Sequence, residues 1–196
     1  MSKATALIDK AIGYCAGKFE SSPPAGEAGL RCVPDRSELV RILQEEGGEP
    51  DPYLTVAAIV RDVLQYTSTA EDEILKTFGV EVAMIVAELT EDAKFTIATR
   101  KSLRLTRMAG LSRKAKLILF AEIIETLRQI AGKSARASWS AQHKLDFFEW
   151  AEKMIAAMGK VNTTLLAIYL AELEAAKLSV ANGATGAAGA TRATGR

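Results

Sequence analysis

Apolar residues along this chain recur at three- and four-residue intervals, and no stretch alternates apolar with polar as a half-buried strand would. Between residues 3 and 19, Leu7, Ile8, Ala11, Ile12 and Cys15 fall on one stripe and predict an amphipathic helix. Residues 20–35 hold Ser21, Ser22, Pro23 and Pro24 with further turn-formers and read as a loop. A helix is predicted over 36–46, with Leu39, Val40, Ile42 and Leu43 inward and Gly47-Gly48 as its stop. Pro50 and Pro52 open another over 53–66, because the first turn of a helix has no use for the N–H that proline lacks. Thr69 or Ser68 is the expected cap of a helix over 70–78, which Gly79 ends. Val82, Ile85, Val86 and Leu89 give the inward face of a helix over 80–90, and a more polar one is predicted over 95–108. Ser112 is expected to cap a long helix that reaches 131, before Gly132. A helix over 139–158, with Phe147, Phe148, Trp150 and Ile155 supplying bulk, and one from 162 to about 180 complete the pattern. The class is all-α, and short connections favour antiparallel or orthogonal neighbours.

Composition narrows the function more than the fold. The 196 residues suffice for one helical domain over 1–180. Residues 181–196 are nearly all Ala, Gly and Thr, too little apolar surface to offset chain ordering, and predict a disordered tail. With 25 basic and 24 acidic residues the net charge is +1, so nothing electrostatic points to nucleic acid or a membrane surface. No apolar run approaches the roughly 18–20 residues of a membrane span. Cys15 and Cys32 lack the spacing of a zinc site or a disulfide framework, which points to reduced thiols and a cytoplasmic location. His143 stands among charged residues and reads as surface, Ser140 as a local backbone partner, and Met84, Met108, Met154 and Met158 as gap fillers.

The candidate chemistry lies in residues 56–67, Val-Ala-Ala-Ile-Val-Arg-Asp-Val-Leu-Gln-Tyr-Thr. There Arg61-Asp62 and, one turn on, Gln65-Tyr66 make a polar stripe on an apolar helix, which taken alone is as well explained by solvation. Other segments accompany it in order: Arg41-Ile42-Leu43, Asp72-Glu73-Ile74 with Phe78-Gly79, Leu89-Thr90-Glu91-Asp92 and Arg100-Lys101. Further on come Ala115-Lys116-Leu117 to Leu127-Arg128, Trp139-Ser140 and Phe148-Glu149-Trp150-Ala151. From about residue 5 to 175 this succession resembles the small (p)ppGpp hydrolases, the hydrolase half of the RelA/SpoT family of HD-domain phosphohydrolases. The resemblance implies an HD-domain-like orthogonal multi-helix bundle, a guanine nucleotide as ligand and a divalent metal.

Carried over position by position, the resemblance implies a defaced metal site. The family's metal ligands fall on Asp35, Arg61, Asp62 and Glu122, its acidic catalytic pair on Gln65 and Tyr66, and a following asparagine on Thr126. An upstream histidine falls on Phe19, while Arg100, Lys101 and Arg128 persist as nucleotide-binding candidates. Arginine has no lone pair to give an ion. A guanidinium about 4 Å from a divalent cation is repelled by roughly 8 kcal/mol at an effective dielectric near 20. Gln65 cannot transfer a proton, and a tyrosine titrating near 10 is a poor acid at neutral pH. The expectation is therefore a catalytically silent relative with no metal. Arg61 would staple Asp35, Asp62 and Glu122, and the protein would bind a phosphorylated nucleotide or a partner protein, as a homodimer by family analogy. Two alternatives stay open: a metal-dependent nucleotide pyrophosphohydrolase with Mn²⁺ or Mg²⁺ on the oxygens of Asp35, Asp62 and Glu122, and a pure interaction scaffold. Arg100, Lys101, Arg104 and Arg107 read equally well as a phosphate-binding rim or a solvated face neutralised by Glu91 and Asp92.

Overall fold

The structure is a computed structural model that describes residues 3–21, 36–92, 94–132 and 135–193, with residues 183–193 as backbone only. Among the described residues every regular element is helical. The chain divides into two compact units, Met1–Leu119 and Phe120–Arg196.

The first unit is organised by its most apolar helix. The elements are α1 (Lys3–Ser21), α2 (Ser37–Arg41), α3 (Pro52–Tyr66), α4 (Glu71–Phe78), α5 (Val80–Leu89) and α6 (Ile97–Arg107), followed by the start of α7 (Arg113–Ala131). Leu54 to Val60 are all buried, together with Asp62 and Val63, so α3 is apolar almost all round and is covered by neighbours on several sides. Those neighbours are α1, α2 and α5, and α4 packs on α5. Cys15 of α1 meets α3 through its Sγ, which lies 3.5 Å from the carbonyl of Ile59. Tyr14 packs edge-on against Phe78 of α4 and donates its hydroxyl to Glu73.

Several helix ends differ from expectation for identifiable reasons. The predicted helix over 36–46 begins as α2 and continues as a π-helical turn, Ile42–Glu46, in which the Gly47 N–H reaches back to the Ile42 carbonyl at 2.8 Å. The π-turn places Ile42 and Leu43 in the core together. The expected cap at Thr69 or Ser68 is not used: α4 starts after Ala70, and the Thr69 hydroxyl pairs with that of Thr67 instead. Gly79, at φ +88°, carries the chain from α4 into α5, a conformation that a side chain would strain. Met84 is exposed and fills no gap, whereas Met108, Met154 and Met158 are buried. The loop expected over 20–35 lies outside the described residues beyond Ser21, which belongs to α1.

The second unit holds the larger part of α7 with α8 (Ala141–Met158) and α9 (Thr163–Ala193). Ser140 caps α8 by accepting the His143 N–H at 3.2 Å, and the Asn162 side chain accepts the Leu165 N–H at the start of α9. Phe120 and Tyr169 meet edge to face, and Phe147 and Phe148 are buried. His143 is exposed and lies flat on Trp139, their ring centres 4.1 Å apart.

The entry to α3 yields a stability test. Asp51 accepts the N–H groups of Tyr53, at 2.8 Å, and Leu54, and its other oxygen takes Lys114. Burial opposes its charge, but these donors outweigh it and hold the carboxyl below the ordinary 3.8. Asp51→Ala is expected to lower unfolding free energy by about 1–2 kcal/mol in urea titrations at pH 7. Because the folded value is depressed, the deficit of the variant should be whole above pH 4 and shrink as pH falls through the folded value. A deficit that does not change with pH contradicts this assignment.

Candidate functional site

Asp62 is the one family ligand position that keeps its residue, and the structure surrounds it with guanidinium groups. Its side chain is 5% exposed, on the buried side of α3. Arg36, just before α2, donates from Nη2 to Asp62 Oδ2, and Arg61 brings its Nε to 3.6 Å from Oδ1. Both arginine side chains are themselves almost buried, at 13% and 10% exposed. A buried carboxylate is tolerable only when paired, and here it has a cation on each side. Arg61 approaches Asp62 from the next position on the same helix, at ion-pair distance. The closer contact comes from Arg36, which directly follows Asp35 and carries no motif of its own in the sequence. Burial, with the Asp62 carboxylate adding to it, pushes the nearby Cys15 thiol up to about 12.

One turn along α3, Gln65 is turned to a structural task. Its Oε1 accepts the N–H of Glu91 at 2.9 Å, tying the end of α3 to the segment between α5 and α6. The Glu91 carboxylate, 14% exposed, receives Arg104 through Nε at 2.8 Å and Nη2 at 2.7 Å on one oxygen. Its other oxygen is 3.8 Å from Nη1 of Arg100. Glu91 thus neutralises part of the basic face, as one reading of that face anticipated. The Arg100 Nε is buried and meets no hydrogen-bond partner among the described residues. Tyr66, partly buried, ends α3. Lys101 is half-buried on α6.

The remaining positions belong to the second unit. Glu122 and Thr126 lie one turn apart on α7, and the Thr126 hydroxyl bonds back to the Glu122 carbonyl at 2.8 Å. Arg136 donates to that same hydroxyl and stands over the Trp139 ring at 5.5 Å. Arg128 pairs with Glu172 at 2.7 Å. Asp35 lies outside the described residues, and Phe19 is half-buried on α1.

The fit of a divalent metal follows from these contacts. An ion needs free oxygen or nitrogen lone pairs, several at once. Asp62 turns both oxygens toward guanidinium groups, and two positive charges stand where a third would have to enter. Among the described residues no group of three or more His, Cys, Asp and Glu is placed to hold a metal ion. This arrangement does not fit the metal that the family resemblance implies, and no step is routed through one.

The arrangement of helices has known counterparts. The chain is 24% identical to the solved structure of a metazoan ortholog of SpoT that hydrolyses ppGpp. The two superpose with a TM-score of 0.74, over 86% of this chain and 94% of the other, so the fold is that of the HD domain. Among sequences, the guanosine-3′,5′-bis(diphosphate) 3′-pyrophosphohydrolase MESH1 of Xenopus tropicalis is 30% identical over 165 residues, 84% of this chain and 92% of the relative. The human MESH1 is 27% identical over 165 residues, again 92% of its length. No family model matches the chain. By this likeness the chain belongs to the MESH1 family of HD-domain pyrophosphohydrolases.

Membership corrects one expectation. The reading of a catalytically silent protein, more binder than enzyme, is overturned by relatives that are named as hydrolases over nearly their whole length. No helix among the described residues is long and apolar enough to cross a membrane.

The pairing at Asp62 is directly testable. Removing the carboxylate takes a close counter-charge from two nearly buried guanidinium groups. Asp62→Ala is expected to cost about 3–5 kcal/mol in urea unfolding. A loss under about 1 kcal/mol would mean the arginines are solvated as at an ordinary surface.

Proposed function

We propose that this protein is a nucleotide pyrophosphohydrolase that removes pyrophosphate from a guanosine-3′,5′-bis(diphosphate)-type substrate. The observation that carries the reading is the 30% identity to the Xenopus tropicalis hydrolase across 92% of that enzyme. The retained basic residues agree with it. Arg100, Lys101 and Arg104 share α6, and phosphate-rich substrates call for such guanidinium and ammonium donors. Arg128 on α7 is a further candidate for the nucleotide.

The site departs from its family at the metal. If the reaction calls on an ion, Asp62 offers carboxylate oxygens, which suit Mg²⁺ or Mn²⁺, and Arg36 would first have to leave them. The assay below therefore reads the product, with and without metal.

Purified full-length protein is incubated with guanosine-3′,5′-bis(diphosphate) in manganese, in magnesium and in EDTA, and pyrophosphate release is followed. Release in at least one condition is expected, with KM raised about tenfold or more by Arg100→Ala combined with Lys101→Ala. No release in any condition overturns the proposal.

A further inference from the structure

The family resemblance leaves the acid–base position of this enzyme filled by an amide, Gln65, yet the structure bonds that amide to the backbone of an acidic residue, Glu91. Gln65 grips the backbone N–H of Glu91 at 2.9 Å, so the Glu91 side chain starts within one hydrogen bond of the lost group. That carboxylate is mostly shielded from water, and what faces it is cationic: Arg104 at 2.7–2.8 Å and Arg100 at 3.8 Å, both from α6. Arg100 also keeps a buried Nε–H with no acceptor among the described residues. A buried donor left unmade costs free energy, so an acceptor belongs in its reach when the site is in use. A phosphate oxygen is such an acceptor, and a phosphate carries more charge than the single carboxylate now holding the two guanidinium groups.

We propose that Glu91 is the proton-transferring carboxylate of this enzyme, displaced from the Gln65 position to the α5–α6 connection, with Arg100 and Arg104 exchanging it for substrate phosphate. The inference rests on the reading of the chain as a pyrophosphohydrolase. With Arg100 and Arg104 drawn onto phosphate, the carboxylate is released to accept a proton. A water oxygen bonds to the phosphorus carried on the 3′ oxygen, and the bond between that phosphorus and the 3′ oxygen breaks. The proton leaves the water for Glu91 and passes from Glu91 to the departing 3′ oxygen. The products are the nucleoside 5′-diphosphate with a free 3′ hydroxyl and pyrophosphate, with no change of oxidation state.

The test uses full-length protein and pyrophosphate release from guanosine-3′,5′-bis(diphosphate). Glu91→Gln keeps the size and an oxygen for Arg104 but accepts no proton. It is expected to lower kcat by about 100-fold or more, the usual weight of a general base. KM should not rise, because Arg100 and Arg104 lose a charged competitor for the substrate phosphate and remain in place. Adding Gln65→Glu to Glu91→Gln returns a carboxylate to the neighbouring position and should recover kcat by about tenfold or more, which no purely structural role of Glu91 accounts for. Thermal melts of each variant separate lost chemistry from lost folding. Active wild type with Glu91→Gln within about threefold in kcat overturns this inference and leaves the functional reading standing. A drop in Glu91→Gln that Gln65→Glu does not recover also overturns it. Inactive wild type removes the functional reading and this inference with it.

Discussion

A carboxylate held between two arginines inside the first unit is the constraint on which the rest depends. Asp62 sits on the one helix that α1, α2 and α5 all pack against, and it cannot be solvated there. Its charge has to be met by whatever the neighbouring segments supply. Arg36 comes from the start of α2 and Arg61 from the adjacent position on α3 itself. The pairing neutralises a buried negative charge and ties the segment before α2 to α3.

The second feature is a consequence of the same economy of charge. Polar side chains that approach α3 do so where a partner waits. Gln65 takes the Glu91 N–H, Glu91 takes Arg104, and the Arg100 Nε–H meets no acceptor among the described residues. These contacts give the α5–α6 connection a fixed path and leave α6, which has no buried residue of its own, attached through charge more than through apolar packing. An element so attached is suited to yield to a competing anion, because an ion pair near the surface is a weak tether compared with burial.

Much of the fold was legible in the residues. The apolar run of α3, the cap at Ser112 and the local backbone bond of Ser140 have local physical causes, and the structure places them as read, whereas of the stripe on α1 Ala11 and Cys15 are buried and Ile12 is exposed. What was not legible depended on long-range pairing. The π-turn at Ile42–Glu46 and the silent Thr69 cap are set by which side chains reach the core or each other, not by local propensity. The site shows the same limit more sharply. Substitutions at Arg61 and Gln65 announced a change, but the partners that meet it, Arg36 and Glu91, are 25 or more residues away in sequence, at separations of 26 from Asp62 and from Gln65. A motif read position by position shows what is missing and is blind to what arrives from elsewhere.

The most direct measurement is a double-mutant cycle on Arg36→Met and Asp62→Asn, with stability read by urea unfolding in EDTA so that no ion contributes. A coupling of about 1.5 kcal/mol or more is expected if the guanidinium is the counter-charge that Asp62 depends on. Additive single changes, with coupling under about 0.5 kcal/mol, would contradict it.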